Sequence, residues 1–187
     1  MVVFAVLLVA GGAYGVRADQ YRRQQETQTL LELVEESEAL MYEWMEGMEE
    51  VYGQAESFCG QSEQACAEFW QDASVQQGVK DAAREAAVSL ERIADEFRGS
   101  RGLRIWAWHK DVTLARNSYL EHNAAWVRWL EAISRNVAEL SGDTVNDDDI
   151  TPTFTTACRD FRRIGESSMY PNLSKKNKER IEKICAE

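Results

Sequence analysis

The stretch from Leu30 to Cys59, LLELVEESEALMYEWMEGMEEVYGQAESFC, determines the fold class of this chain. Apolar or small residues recur in it at alternating steps of four and three, which is the spacing of one face of a long helix. These positions are Leu30, Val34, Ser37, Met41, Trp44, Met48, Val51, Ala55 and Phe58. Leu33, Leu40, Met45 and Tyr52 make the stripe wider than a two-stranded coiled coil needs. The pattern therefore predicts a helix that packs in a globular bundle.

The rest of the chain also predicts helices, so we expect an all-α helical bundle. The first helix should cover residues 19–59, and Gly60 and Ser62 are typical of a helix end followed by a new N-cap. Thr151 and Pro152 are typical of a helix start. We expect an antiparallel bundle of three long helices and a short C-terminal helical hairpin. The later helices should cover about residues 63–98, 103–140, 152–164 and 175–185.

The four cysteines fall near the predicted helix ends. A hairpin between the first two helices would bring Cys59 to Cys66, and folding the last two helices together would bring Cys158 to Cys185. We therefore predict these two disulfides, out of the three pairings that four cysteines allow. Four reduced thiols are the alternative. A zinc site does not fit the spacing of the cysteines.

The first sixteen residues, MVVFAVLLVAGGAYGV, form an uncharged apolar run that ends at Arg17. We predict that residues 1–16 form a transmembrane anchor or uncleaved signal, followed by an extracytoplasmic helical domain over residues 17–187. Arg17, Arg22 and Arg23 are interpreted as the interfacial stop. The alternatives are a signal peptide cleaved after Ala13 or Ala18, which would give a secreted protein, and a buried helix.

Two features disagree about which side of the membrane the domain occupies. The arginines that follow the apolar run favour the cytoplasm by the positive-inside rule. Paired cysteines favour an oxidising compartment. The cysteines also lie near helix ends that the predicted fold brings together. We therefore expect the domain in the periplasm or extracellular space.

Charge is distributed unevenly along the chain. The formal net charge is −11, and residues 24–79 contain thirteen acidic residues and no Lys or Arg. Such a field repels nucleic acid and anionic lipid head groups, so we do not expect a nucleic-acid binder. We predict that Glu43, Glu46, Glu49 and Glu50 form a partner-binding acidic face. One alternative is that the acidic residues collect divalent cations. The other is a solvated surface with internal pairing, for which the candidate arginines are Arg92, Arg104, Arg116, Arg128 and Arg135.

The sequence contains no motif that indicates catalysis, so we predict a protein that is not an enzyme and needs no cofactor or metal. It has no Gly-rich phosphate loop and no Cys-x-x-Cys. His122 falls on an apolar stripe and is interpreted as a hydrogen-bonded core residue, with ligation of a cofactor as the alternative. Met41, Met45 and Met48 are interpreted as core residues, with a Cu(I) site as the alternative.

These features predict a non-catalytic accessory, assembly or partner-binding subunit at a membrane. Its partner should be another protein with a basic or membrane-embedded surface. Six tryptophans also favour partner contact if some of them are exposed. A ligand- or metal-binding sensor bundle is the alternative. In layout, a membrane-anchored helical domain with paired cysteines resembles the inner-membrane spanins of phage lysis, which implies an envelope-bridging protein as a further alternative.

Overall fold

A computed structural model describes residues 2–99, 103–137, 147–166 and 173–186, with side chains from Gly15 onward except those of residues 147–149. Within these ranges the chain forms six helices and no strand. The predicted all-α, disulfide-braced bundle is therefore confirmed. The helices are α1 (Val2–Cys59), α2 (Glu63–Gln71), α3 (Ala73–Arg98), α4 (Lys110–Arg135), α5 (Asp147–Glu166) and α6 (Lys175–Ile184).

The helices run alternately up and down along α1. Helices α2 and α3 return from the far end of α1, and α4 then rises beside α3. Helix α5 descends along α4 until the Ile164 carbonyl accepts a hydrogen bond from Arg23 near the start of the bundle. Helix α6 rises again beside α1, where Arg180 meets Glu35. We call the end of the bundle near Arg23 the base and the end near Cys59 the tip.

Two apolar clusters form the core, and both use the predicted stripe of α1. The lower cluster draws on α1, α3, α4, α5 and α6, with Leu30, Phe97 and Phe161 completely buried. The upper cluster draws on α1, α3 and α4 and includes Met41 and Met48. The methionines thus fill core space, as their heptad positions predict. Because α5 and α6 pack only into the lower cluster, the upper part of α1 keeps a wider face open to solvent.

The predicted second helix is interrupted at Asp72. Its side chain accepts hydrogen bonds from the backbone N–H groups of Ser74 at 2.7 Å and Val75 at 3.2 Å, so it caps α3. Its own backbone N–H still donates to the carbonyl of Phe69 in α2. A short acidic side chain competes with the helical backbone in this way, and one predicted helix becomes two.

The predicted third helix begins seven residues too early. Residues 103–109 are not helical, and α4 begins at Lys110. The backbone N–H of Trp106 donates to Glu26 of α1 at 3.0 Å, which holds this segment out of a helical turn. Trp108 lies in this non-helical segment, and its side chain is 56% exposed.

The fourth predicted helix also differs at its start. Helix α5 begins at Asp147 and contains Pro152 in its interior, so Thr151 is not its N-cap. Acidic residues favour the positive end of a helix dipole, and the three aspartates at 147–149 extend the helix by more than a turn. Ser174 does cap α6, accepting from the backbone N–H of Asn177 at 3.2 Å. Helix α4 ends at Arg135 with Asn136 as its C-cap, so the predicted end of the third helix near residue 140 is wrong. Most of the loop predicted after that helix lies outside the described residues.

The predicted membrane segment at residues 1–16 falls mostly on side chains outside the described part of the chain. The backbone of α1 runs without interruption from this segment into the bundle. Among the described residues, no helix has both the length and the apolar character of a membrane span.

Both predicted disulfides are present in the structure. Cys59 pairs with Cys66 at the tip, where α1 turns into α2. Cys158 pairs with Cys185 and joins α5 to the end of α6. In addition, Arg162 donates to the carbonyl of Cys185 at 3.2 Å. The second disulfide therefore fixes the position of the basic helix α6 against the bundle.

We predict that the two disulfides stabilise the fold unequally. Replacing Cys158 and Cys185 by serine should lower the free energy of unfolding by roughly 3.5 kcal/mol, and replacing Cys59 and Cys66 by roughly 2.5 kcal/mol, because the first pair closes a longer loop. Urea unfolding of the three proteins measures both differences. Four free thiols in protein from the native host, seen by mass spectrometry without reduction, would contradict the pairing itself.

Candidate partner-binding surface

The four predicted acidic-face residues all lie on the exposed side of α1. Glu43, Glu46, Glu49 and Glu50 are each solvent-exposed, while Met41, Trp44 and Met48 on the opposite side are buried. None of the four carboxylates forms an ion pair with a described residue. They lie within two helical turns of each other, so their charges repel one another.

The acidic residues nearer the base are compensated within the fold. Arg180 of α6 binds Glu35 through two hydrogen bonds of 2.7 and 2.8 Å. The hydrogen bond to Arg180 and its charge hold the pKa of Glu35 below its usual value. Arg92 of α3 pairs with Glu36 at 3.1 Å.

The carboxylate of Glu38 has a hydrogen-bond partner on the core side of the bundle. It accepts a hydrogen bond of 2.6 Å from the hydroxyl of Tyr119. Burial, together with the charge of Glu38, raises the pKa of Tyr119 well above its usual value, so the phenol stays protonated and donates. Compensation along α1 therefore extends to Glu38 and stops before Glu43.

Internal pairing, the alternative explanation of the acidity, accounts for only part of it. Of the arginines that could have met α1, Arg92 does so at Glu36. Arg116 instead donates to Asn117 of its own helix, and Arg135 pairs with Glu131 one turn away. None of these contacts reaches the acidic face.

The basic helix α6 lies on the same line of α1 that leads to the acidic face. Helix α6 carries five basic and two acidic residues. Its end lines a shallow groove of about 250 Å³ with Glu35, Glu38 and Tyr42. Successive helical steps continue this line of α1 beyond the end of α6. The positions on it are Glu35, Tyr42, Glu46, Glu49 and Gly53.

A second groove flanks the acidic face between α1 and α3. It has a volume of about 280 Å³, with Leu40, Trp44 and Ala86 on its apolar side. Glu43 and Glu85 provide carboxylates in the same groove, and both are exposed. A groove of this kind suits the side chain of Lys or Arg, whose aliphatic stem packs on apolar surface while its charged end stays among polar groups.

Two glycines on the exposed side of α1 leave its backbone uncovered. A Cβ atom added at Gly47 or Gly53 would meet no atom within 4 Å. Glycine inside a helix costs about 1 kcal/mol relative to alanine, and no packing contact within the fold offsets that cost here. Both positions would let another chain approach the helix closely.

The base contains a buried charge network that the sequence analysis missed. Arg23 is 2% exposed, and its guanidinium donates to Asp111 of α4 and to the Ile164 carbonyl of α5, the latter at 2.9 Å. Beside it, Glu26 is 3% exposed and pairs with His109 and, at 3.1 Å, with Arg22.

His109 connects this network to the start of α1. The ring is completely buried, its Nδ1 faces Glu26, and its Nε2 lies 3.1 Å from an oxygen of Asp19. Each ring nitrogen of His109 therefore faces a carboxylate. The network joins Arg22, Arg23 and His109 to the carboxylates of Asp19, Glu26 and Asp111.

The network had a signal in the sequence. The heptad spacing of α1 continues toward the N-terminus from Leu30 through Thr27 to Arg23. Arg22 and Arg23, which are interpreted from the sequence as part of an interfacial stop, also bond within the bundle. Their partners Asp111 and His109 are distant in sequence, so no local pattern could identify them.

His122 is hydrogen-bonded on both ring nitrogens. Trp126 donates to Nε2 at 2.9 Å, and Nδ1 lies 3.2 Å from the hydroxyl of Thr153. The ring is 1% exposed. This is the arrangement of a satisfied core histidine, as its place on the apolar stripe of α4 predicts.

No family model, curated protein or solved structure matches this chain. Its function is therefore inferred from its own surface and chemistry.

We predict that Arg23→Met destabilises the fold by about 3 to 5 kcal/mol, because it leaves the Asp111 carboxylate without its buried partner. A matched control is Arg84→Met, since the exposed Arg84–Asp81 pair on α3 should contribute no more than about 1 kcal/mol. Urea unfolding followed by circular dichroism measures both. Equal losses for the two variants would show that the buried network does not hold the base together.

Proposed function

We propose that this protein is a non-catalytic, membrane-anchored accessory or assembly subunit whose acidic face binds a basic segment of another protein on the periplasmic or extracellular side of a membrane. The observation that supports this proposal is the contrast between paired and unpaired acidic residues along α1. Acidic residues up to Glu38 have partners within the fold, whereas Glu43, Glu46, Glu49 and Glu50 have none among the described residues.

Helix α6 is an internal example of the expected contact. It is a basic helix whose Arg180 meets Glu35 of α1. The line of α1 beyond it, through Glu46 and Glu49, presents the same chemistry without a covering helix. A basic helix from a partner could therefore continue the row of contacts that α6 begins. Electrostatic complementarity of this kind favours rapid and selective association.

Two observations support the membrane and compartment parts of the proposal. The uncharged run at residues 1–16 precedes the bundle on the same continuous helix. The two disulfides are typical of proteins in oxidising compartments such as the periplasm or the cell exterior.

We predict that changing Glu43, Glu46, Glu49 and Glu50 to lysine abolishes binding of the partner without loss of helical circular dichroism. Tagged wild-type and reversed proteins are purified from detergent-solubilised membranes of the native host, and stoichiometric co-purifying proteins are compared. In the wild type, salt of about 0.5 M should weaken the complex, because exposed charges are screened within a few ångströms.

The matched control reverses Asp81, Glu91, Asp95 and Glu121, which are exposed on α3 and α4 and give the same change in net charge. It should keep the partner. A photo-crosslinking amino acid at position 49 should form an adduct with that partner, and one at position 91 should not. If the reversed protein keeps its partner at every salt concentration, the acidic face is a solvated surface and the proposal fails.

A further inference from the structure

The base of the bundle exposes several aromatic side chains. Trp108 is 56% exposed, Tyr21 is 66% exposed and Trp106 is 38% exposed. Val16, at the end of the apolar run, is 59% exposed. Trp106 and Trp108 form a contiguous exposed pair. Adjacent large aromatic residues on a surface indicate a contact with something outside the fold.

The two tryptophans are held in place by the buried charge network. The indole N–H of Trp108 donates to Asp19 at 2.7 Å, and the backbone N–H of Trp106 donates to Glu26 at 3.0 Å. The two indole rings also contact each other edge to face, with centroids 4.6 Å apart. The indole N–H of Trp108 is therefore fixed at the level of Asp19, and the backbone of Trp106 at the level of Glu26.

The level of Asp19 is close to the end of the apolar run, whereas Glu26 lies about 15 Å beyond Val16. A helix rises about 1.5 Å per residue, so Asp19 lies about 4.5 Å beyond Val16, and Tyr21 lies about 7.5 Å beyond it. Trp and Tyr concentrate at this distance from an apolar span, because their rings are apolar and their N–H or O–H groups are polar.

Three basic side chains, Arg17, Arg104 and Lys110, are exposed near the base, together with the acidic Glu166 at the end of α5. The acidic residues closest to Arg17 are engaged within the fold, since Asp19 contacts His109 and Trp108 and Asp111 pairs with Arg23. Basic residues close to a bilayer attract anionic lipid head groups. This sign of charge is opposite to that of the acidic face farther up α1.

We propose that the base of the bundle docks on the lipid head-group layer, with Tyr21, Trp106 and Trp108 as its interfacial aromatic residues. The inference rests on the proposed membrane anchor and adds that the bundle meets the bilayer directly. Docking in this way would orient α1 along the membrane normal and hold the acidic face away from the lipid.

The test uses the full chain reconstituted in vesicles of phosphatidylcholine and phosphatidylglycerol, with acyl chains brominated close to the head group. Bromine quenches only nearby tryptophans. Trp126 is far from the base and should not be quenched. It contacts His122, which lies 3.5 Å from Glu38. Glu38 is about 28 Å from Asp19 along α1. Wild-type emission should fall relative to unbrominated vesicles, and the quenching should be lost in Trp106→Phe/Trp108→Phe.

Two further variants keep the result interpretable. Trp70→Phe, near the tip, should retain the wild-type loss of emission. Trp106→Phe alone leaves the hydrogen bond from Trp108 to Asp19 in place and should lose part of the quenching. Circular dichroism checks that each variant is folded.

Vesicle flotation separates the docking from the anchor. If the protein floats with the vesicles but shows no quenching, the chain is anchored and its base faces water. That result overturns docking and leaves the anchor intact. Protein that does not float lacks the anchor, and both proposals then fail. Quenching that persists in the double variant overturns the assignment to these two tryptophans.

Discussion

The buried guanidinium of Arg23 is the constraint on which the rest of the structure depends. A charge this deep in an apolar bundle is tolerated only when paired, and Arg23 obtains its partners from two other helices, as Asp111 of α4 and the carbonyl of Ile164 of α5. The base thereby fixes the register of α1 against α4 and α5. A shift by one turn would leave the guanidinium without Asp111, so only one alignment of the three helices satisfies it.

Once this register is set, the distance of each α1 carboxylate from the base determines which partner it contacts. Glu35 and Glu38 fall beside Arg180 and Tyr119, and Glu36 falls beside Arg92. Helix α6 ends at Ile184, where the Cys158–Cys185 disulfide holds it to α5. Helix α6 and its basic residues therefore end beside Tyr42, just before the acidic face begins. The acidic face is the part of α1 whose carboxylates form no ion pair with a described residue.

The sequence was sufficient to predict features that depend on local pattern. The stripe from Leu30 to Phe58 predicts α1, and the placement of cysteines at helix ends predicts both pairings. Contacts between distant residues could not be read in the same way. Nothing near Trp106 indicates that its backbone N–H donates to Glu26, so the sequence pattern predicts a helix over residues 103–109. Asp72 has the composition of a cap, but only the backbone geometry shows that it ends one helix and begins another.

The placement of the unpaired charge could be predicted only in part. The absence of Lys and Arg from residues 24–79 identifies the acidic region, but not which carboxylates find partners from α3 and α6. That depends on the register that Arg23 imposes. The same holds at the base, where Arg22 has the spacing of an interfacial residue and yet donates to Glu26 and to the carbonyl of Arg104.

The central claim is that the carboxylates of the acidic face repel one another in the folded protein and have no internal partner. Thermal unfolding in about 10 mM and about 0.5 M salt tests it, on the wild type and on a variant with Gln at positions 43, 46, 49 and 50. At low salt the variant should unfold about 2 to 4 °C higher, because like-charged neighbours on a helix cost a few tenths of a kcal/mol per pair. At high salt the difference should shrink toward zero. A variant that unfolds at a lower temperature than the wild type in low salt would contradict the claim, since the carboxylates would then be paired within the fold.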